Sequence, residues 1–191
     1  MTDYQKLYDG IGKAAWGYFF IYFDININTV SIIPSFIGYM LFLSSIDCLC
    51  EEERELNLLR TLGIILTVWH VASWLASWVS VDLDGILPFV DIIIGVINIY
   101  FHFQLLTNLA SIAAKHQPEG YELDKKLLRY RTLKTIMLTA VTVLLYLTKW
   151  QNGLITVVSV GMAIVYLIAG ILLMKALFEL RRCLSNENDI Q

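Results

Sequence analysis

Residues 86–114 read ILPFVDIIIGVINIYFHFQLLTNLASIAA, and this run decides the fold. About 20 consecutive apolar residues cross the ~30 Å hydrocarbon core of a bilayer at 1.5 Å per residue. The run is longer than that, and its only acidic or basic side chains are Asp91 and His102. A water-facing helix of this length needs a charged face, and none is present. Pro118 and Gly120 then stop the helix. The segment therefore reads as a membrane span.

Working outward, five further apolar stretches fall at about 7–24, 32–49, 62–81, 130–148 and 154–178, beside 86–114 itself. The expected fold is all-α: a polytopic membrane helix bundle of about six transmembrane helices, with residues 1–191 forming a single transmembrane domain. The composition agrees. Hydrophobic residues make up 57% of the chain and charged residues only 16%, against about 25% charged in soluble domains. The charges sit in short stretches between apolar runs, which leaves no room for a separate soluble domain. The first span is the shortest; Lys13 snorkels toward one face and Asp24 reaches the other. Pro34 stands where a helix tolerates it, in the first turn of the second span. The start does not read as a cleaved signal, because Asp3 and Asp9 dilute a positive leader. No internal repeat of the inverted-transporter kind is visible.

Basic residues set the orientation. With the N-terminus inside, Lys6, Lys13, Arg54, Arg60, Lys115, Lys125, Lys126, Arg129, Arg131, Lys134, Lys175, Arg181 and Arg182 are all cytoplasmic. Only Lys149 of the 14 lysines and arginines is left outside. The outer loops carry Asp24, Asp82 and Asp84. Both termini are then cytoplasmic. Cys48, Cys50 and Cys183 fall on the cytoplasmic side, where thiols stay reduced. Cys48-x-Cys50 lacks the spacing of a zinc site. The net charge of −3 says nothing about nucleic acid, but no basic stripe interleaved with aromatics is present, so no nucleic-acid partner is expected.

Candidate chemistry lies on the third and fourth spans. Asp91, Gly95, Asn98 and His102 follow i, i+4, i+7, i+11 and share one face. Polar groups inside a bilayer are costly, so they face the bundle interior or a wet cavity. Gly95 would permit close helix approach. His70, Trp74 and Trp78 line a second stripe at i, i+4, i+8 on the neighbouring span, with His70 at a depth comparable to His102. The expected ligand-binding set is His70, Trp74, Asp91, Asn98 and His102, a polar pocket walled by indoles. The alternative is polar packing glue between helices. Two histidines do not make a zinc site, which needs three or four ligands, so no metal or other cofactor is expected. Thr132, Thr135, Thr139, Thr142 and Tyr146 form a weakly polar stripe that reads as a packing seam, and Lys149 beyond it could pair with Asp91. Asp24-Ile-Asn26-Ile-Asn28 opens like a calcium loop but has Thr29 and Ser35 where glycine and glutamate are required. It reads as a short extended segment.

Hydrolase, zinc-protease and P-loop signatures are absent, so an intramembrane enzyme ranks below the other readings. The segments Trp16-Gly17, Phe23-Asp24-Ile25-Asn26 and Ile32-Ile33-Pro34-Ser35-Phe36-Ile37-Gly38-Tyr39 resemble a group of small, uncharacterised bacterial multi-pass membrane proteins. Those usually carry an aspartate where Ser35 stands. The resemblance covers about a fifth of the chain and implies the bacterial cytoplasmic membrane with no established activity. Size and topology are also similar to substrate-binding subunits of energy-coupling vitamin transporters, which dock to a partner through small residues in the first helix; here Gly10 and Ala14 offer that spacing. The expected function is a non-enzymatic membrane protein that binds a small solute in the bundle interior or serves a partner membrane subunit, with the lipid bilayer as its surroundings. The alternative is a structural, interaction or regulatory protein with a tightly packed polar core.

Overall fold

The computed structural model describes residues 3–23, 26–27, 30–31, 34–79, 88–147 and 153–188. Among these residues six helices account for nearly all of the structure: α1 Tyr4–Tyr22, α2 Phe36–Leu49, α3 Leu56–Trp78, α4 Pro88–His116, α5 Leu123–Leu147 and α6 Gly153–Asn188. A minimal antiparallel ladder, β1 Asn26–Ile27 and β2 Val30–Ser31, joins α1 to α2. It is the extended segment expected there; Asp24 and Asn28 lie outside the described residues.

Local chemistry fixes several boundaries. Asp3 caps α1 by accepting from the Lys6 backbone N–H at 3.1 Å, which satisfies one of the orphan donors of a helix start. Pro118 cannot continue α4, and Gly120 supplies the positive φ of 86° that turns the chain. Gln117 then reaches over the start of α5. Its side-chain oxygen accepts from the Leu123 backbone N–H at 2.7 Å, while its amide nitrogen donates to Asp124 at 2.8 Å.

Each helix packs on its neighbour in sequence, and α6 closes back on α1, so the six form a ring. Ion pairs collect at one end of it. Lys6 meets Glu51 at 3.0 Å, Lys115 meets Glu53 at 3.3 Å, and His116 meets Glu52 at 3.2 Å. Lys126 and Glu179 tie α5 to α6 at 3.7 Å. This charged end gathers the start of α1, the α2–α3 turn, the close of α4, the start of α5 and the second half of α6, as an up-and-down bundle requires.

Three helices are long and apolar enough to cross a membrane: Leu56–Trp78, Phe89–His116 and Val160–Ser185. Phe36–Leu49 is apolar but shorter. Charge separates the others from this set, since α1 carries Lys6, Asp9 and Lys13 and the first half of α5 carries charges from Asp124 to Lys134. The outward faces of the three long helices are apolar, with Ile64, Val68, Ile93, Val96, Ile164 and Ile168 exposed. Water penalises such a surface, and lipid does not.

Packing is graded along the bundle axis. Near the charged end the core is dense, with Leu7, Ile46, Leu59, Leu109, Leu127 and Leu180 all buried. Toward the far end it thins. On α3 the last buried position is Leu66; on α5 none follows Met137 as far as Val143, on α6 none lies between Val160 and Ile168, and on α4 only Ile94 is buried between Phe89 and Phe101. The two shortest helices, α1 and α2, stay tightly joined. A Cβ on Gly38 would lie 2.8 Å from the Gly17 carbonyl oxygen, and Ser45 donates to the Gly10 carbonyl at 2.7 Å.

Three sequence expectations change here. The small-residue face of α1 is consumed inside the chain: a Cβ on Gly10 would meet Leu49 at 2.6 Å, and Ala14 is fully buried. Gly95 is no close-approach residue, since a Cβ there would meet nothing within 4 Å. The threonine stripe is no seam either. Thr132 and Thr139 are exposed, and Thr132, Thr135 and Thr142 donate to the carbonyls of their own preceding turn, as threonine does in apolar surroundings.

Candidate functional site

The site lies where the core stops being dense. Tyr18 and His70 each stand fourteen residues in from the charged-end start of their helix, and His102 fourteen residues back from the end of α4. At 1.5 Å per residue all three are roughly 21 Å from that end. Helices α1, α3 and α4 thus deliver polar aromatic side chains to one level.

Tyr39 on α2 organises one half. Its ring stacks on His70, centroids 4.7 Å apart and planes 13° from parallel. Its hydroxyl donates to Asn98 Oδ1 at 2.8 Å. On the other side of His70, Nδ1 shares a hydrogen bond with Ser35 Oγ at 3.2 Å. Ser35 therefore serves the site, and its side chain does not cap α2. A chain of polar contacts runs Ser35, His70, Tyr39, Asn98 across three helices.

His102 occupies an aromatic box. Its ring lies 5.5 Å from Tyr18, 6.0 Å from Tyr39, 5.6 Å from Phe42 and 5.5 Å from Phe101. The residue is 2% exposed, and its Nδ1 has no hydrogen-bond partner among the described residues. The hydroxyl of Tyr18, also fully buried, is likewise unpartnered, as is Ser73 Oγ one turn beyond His70. Buried polar groups are almost always paired, and each exception calls for an explanation.

Lys134 forms the other half. The positive-inside pattern puts it in the cytoplasm, but it is 2% exposed and inside the bundle. Its ammonium donates to Tyr166 Oη at 3.1 Å and to Tyr22 Oη at 3.4 Å. It also stands 5.0, 4.5 and 5.3 Å from the ring centroids of Tyr18, Tyr22 and Tyr166. Tyr18 links the halves, touching the lysine and His102 alike.

Of the expected set, His70, Asn98 and His102 come together around Tyr39. Trp74, one turn from His70 toward the open end, packs edge-on against Phe36 at 5.5 Å and Trp78 at 5.5 Å. The rings around His102 are tyrosine and phenylalanine. Asp91 is half-buried on α4, seven residues and so roughly 10 Å along the axis from Asn98. Lys149, its expected partner, lies outside the described residues. Sequence reasoning missed Tyr18, Tyr22, Tyr39, Lys134 and Tyr166.

Among the described residues no three His, Cys, Asp or Glu side chains come close enough to hold a metal ion. At the charged end, Lys13 Nζ donates to Cys48 Sγ at 3.3 Å. A described cavity of about 440 Å³ opens elsewhere, on the outer face of α5 at Leu128, Arg129, Thr132, Leu133 and Ile136. Set against known proteins, the chain matches no family model, no curated protein and no solved structure.

Proposed function

We propose that this chain is a multi-pass protein of the bacterial cytoplasmic membrane, both termini cytoplasmic, that binds a small solute entering from the outer side. The polar aromatic cluster is the floor of its binding site. All six helices span, the charged end is the cytoplasmic end, and the loosely packed end faces out. The unpaired Tyr18 hydroxyl and His102 Nδ1 carry this reading. An unsatisfied buried polar atom costs about 1–3 kcal/mol, and a bundle keeps such atoms where a ligand completes them. The level of the cluster supports it as well, since the core above it is thin. The cluster consists of Ser, Tyr, His, Asn and Lys side chains, which suit hydrogen-bonded recognition; no carboxylate or thiol is among them, which favours binding over catalysis.

Thiol labelling of intact cells tests the reading. With an impermeant maleimide added outside, His70→Cys should react. Arg129→Cys and the native Cys48, Cys50 and Cys183 should react only after permeabilisation. Labelling of Arg129→Cys in intact cells would overturn the topology.

A second reading, a packed polar core that serves only to align helices, draws on the Tyr39–Asn98 bond and the stacked Tyr39–His70 pair. It expects His70→Cys to stay unreactive from both sides.

A further inference from the structure

Lys134 is a buried lysine with no carboxylate beside it among the described residues. An ammonium carries three donors, and two of them go to the neutral oxygens of Tyr22 and Tyr166. Among the described residues no carboxylate lies within 4.0 Å of it, and the lysine–carboxylate pairs lie at the charged end. Removing a charge from water costs several kcal/mol unless a partner of opposite sign replaces the solvent. Tyrosine faces supply part of that compensation through their quadrupoles, but no net negative charge.

Resting on the interior-site reading above, we infer that the solute is a small organic anion, whose carboxylate or phosphate pairs with Lys134 and whose body lies against Tyr18 and His102. Three observations meet at this place. Among the described residues the lysine has no counter-ion and the Tyr18 hydroxyl and His102 Nδ1 have no partners, and Tyr18 touches both other residues. A carboxylate accepts from the ammonium and from the Tyr18 hydroxyl together, and such charge-assisted bonds are about twice as strong as neutral ones. A free solute is favoured over a lipid headgroup because Lys134 is inside the bundle, 2% exposed and away from its outward faces. Selectivity follows from the same geometry: a neutral isostere leaves the lysine as poorly paired as before.

Thermal unfolding of the full chain in detergent tests this, at constant chloride, with benzoate, benzamide and inorganic phosphate as probes. Benzoate or phosphate should raise the wild-type Tm by about 3 °C for each tenfold of concentration above Kd, and benzamide should not. Which of the two anions acts tells carboxylate from phosphate. Lys134→Met should lose the shift. Tyr166→Phe removes one of the two oxygens around the ammonium and should enlarge it, which serves as an independent arm if Lys134→Met does not fold. Equal shifts from benzamide and benzoate, kept in Lys134→Met, would overturn the anion while leaving a neutral-solute site standing. No shift from either anion in the wild type also overturns the anion. The interior site itself fails only if His70→Cys is also closed to outside reagent.

Discussion

Gly17 and Gly38 meet backbone to backbone where α1 crosses α2. A Cβ on Gly38 would sit 2.8 Å from the Gly17 carbonyl oxygen, and one on Gly17 would sit 3.0 Å from that of Gly38. Backbone cannot move aside as a flexible side chain can. Gly38→Ala should therefore destabilise the protein by about 2 kcal/mol, in the range of overpacked cores. Gly95→Ala, which meets nothing within 4 Å, should be neutral or stabilise by up to about 1 kcal/mol through helix propensity. Thermal unfolding in one detergent compares the pair; equal losses would refute the crossing.

Two tyrosines separate the binding site from packing glue. Tyr39→Phe removes a made bond to Asn98 and should cost about 1 kcal/mol. Tyr18→Phe deletes an unsatisfied hydroxyl and should stabilise the ligand-free protein by about 1 kcal/mol. A site kept for a ligand trades stability for function in this way. Comparable losses in both variants would mean the cluster serves alignment alone.

The α4–α5 turn predicts a pH dependence. The Gln117 amide, and then the Lys125 backbone N–H, hold the Asp124 carboxyl below the usual carboxylate range. A depressed folded-state pKa contributes stability that is complete above the unfolded value, near 3.9, and is lost as pH falls through the folded value. Gln117→Ala should bring the Asp124 titration, followed by carboxyl NMR, up toward about 3.9. It should also cost about 1 kcal/mol at neutral pH through the lost cap. An unmoved titration would show that the amide does not hold the carboxylate.

Glu53 pins the α2–α3 turn to α4. It accepts from Ser111 Oγ at 2.8 Å and pairs with Lys115 at 3.3 Å, with its side chain 17% exposed. Glu53→Ala should cost about 1.5 kcal/mol, as expected for bonds to a charged group. Glu122→Ala, whose partner Lys125 is an exposed neighbour on the same turn, should leave stability nearly unchanged because water and salt screen the pair. Urea or thermal titration ranks the two, and reversal would point to a misassigned tether.

Helical periodicity carried most of what the sequence revealed. The 3.6-residue repeat of α4 put Asn98 and His102 on one inward face, and the short third-to-fourth connection put His70 level with them. Apolar runs located the six helices but not their ends, since charged turns carry α3 back to Leu56 and α6 on to Asn188. Lys134 escaped because a lone basic residue near a span end reads as a topology marker. The signal was nonetheless there: Leu123, Leu127, Lys134 and Met137 are the buried residues of α5, spaced i, i+4, i+11, i+14, so the lysine occupies the apolar stripe. Tyrosines were passed over because single aromatics are common at bilayer interfaces. Gly95 misled because a glycine on a polar face fits a tight crossing and an empty surface equally well, and only neighbours distinguish them.

The uneven density of the core has a mechanical consequence. The ion-paired base holds all six rods together, while the upper lengths of the four long ones bury few of the described side chains, so each of these is a lever with its fulcrum near the histidines. Beyond the contact of Gly170 with Tyr22, residues 153–169 of α6 make an arm of about 25 Å, and a tilt of about 5° at the fulcrum swings its tip by roughly 2 Å. Small adjustments around a bound molecule are thus magnified at the mouth, and amide exchange should quicken steadily from base to rim.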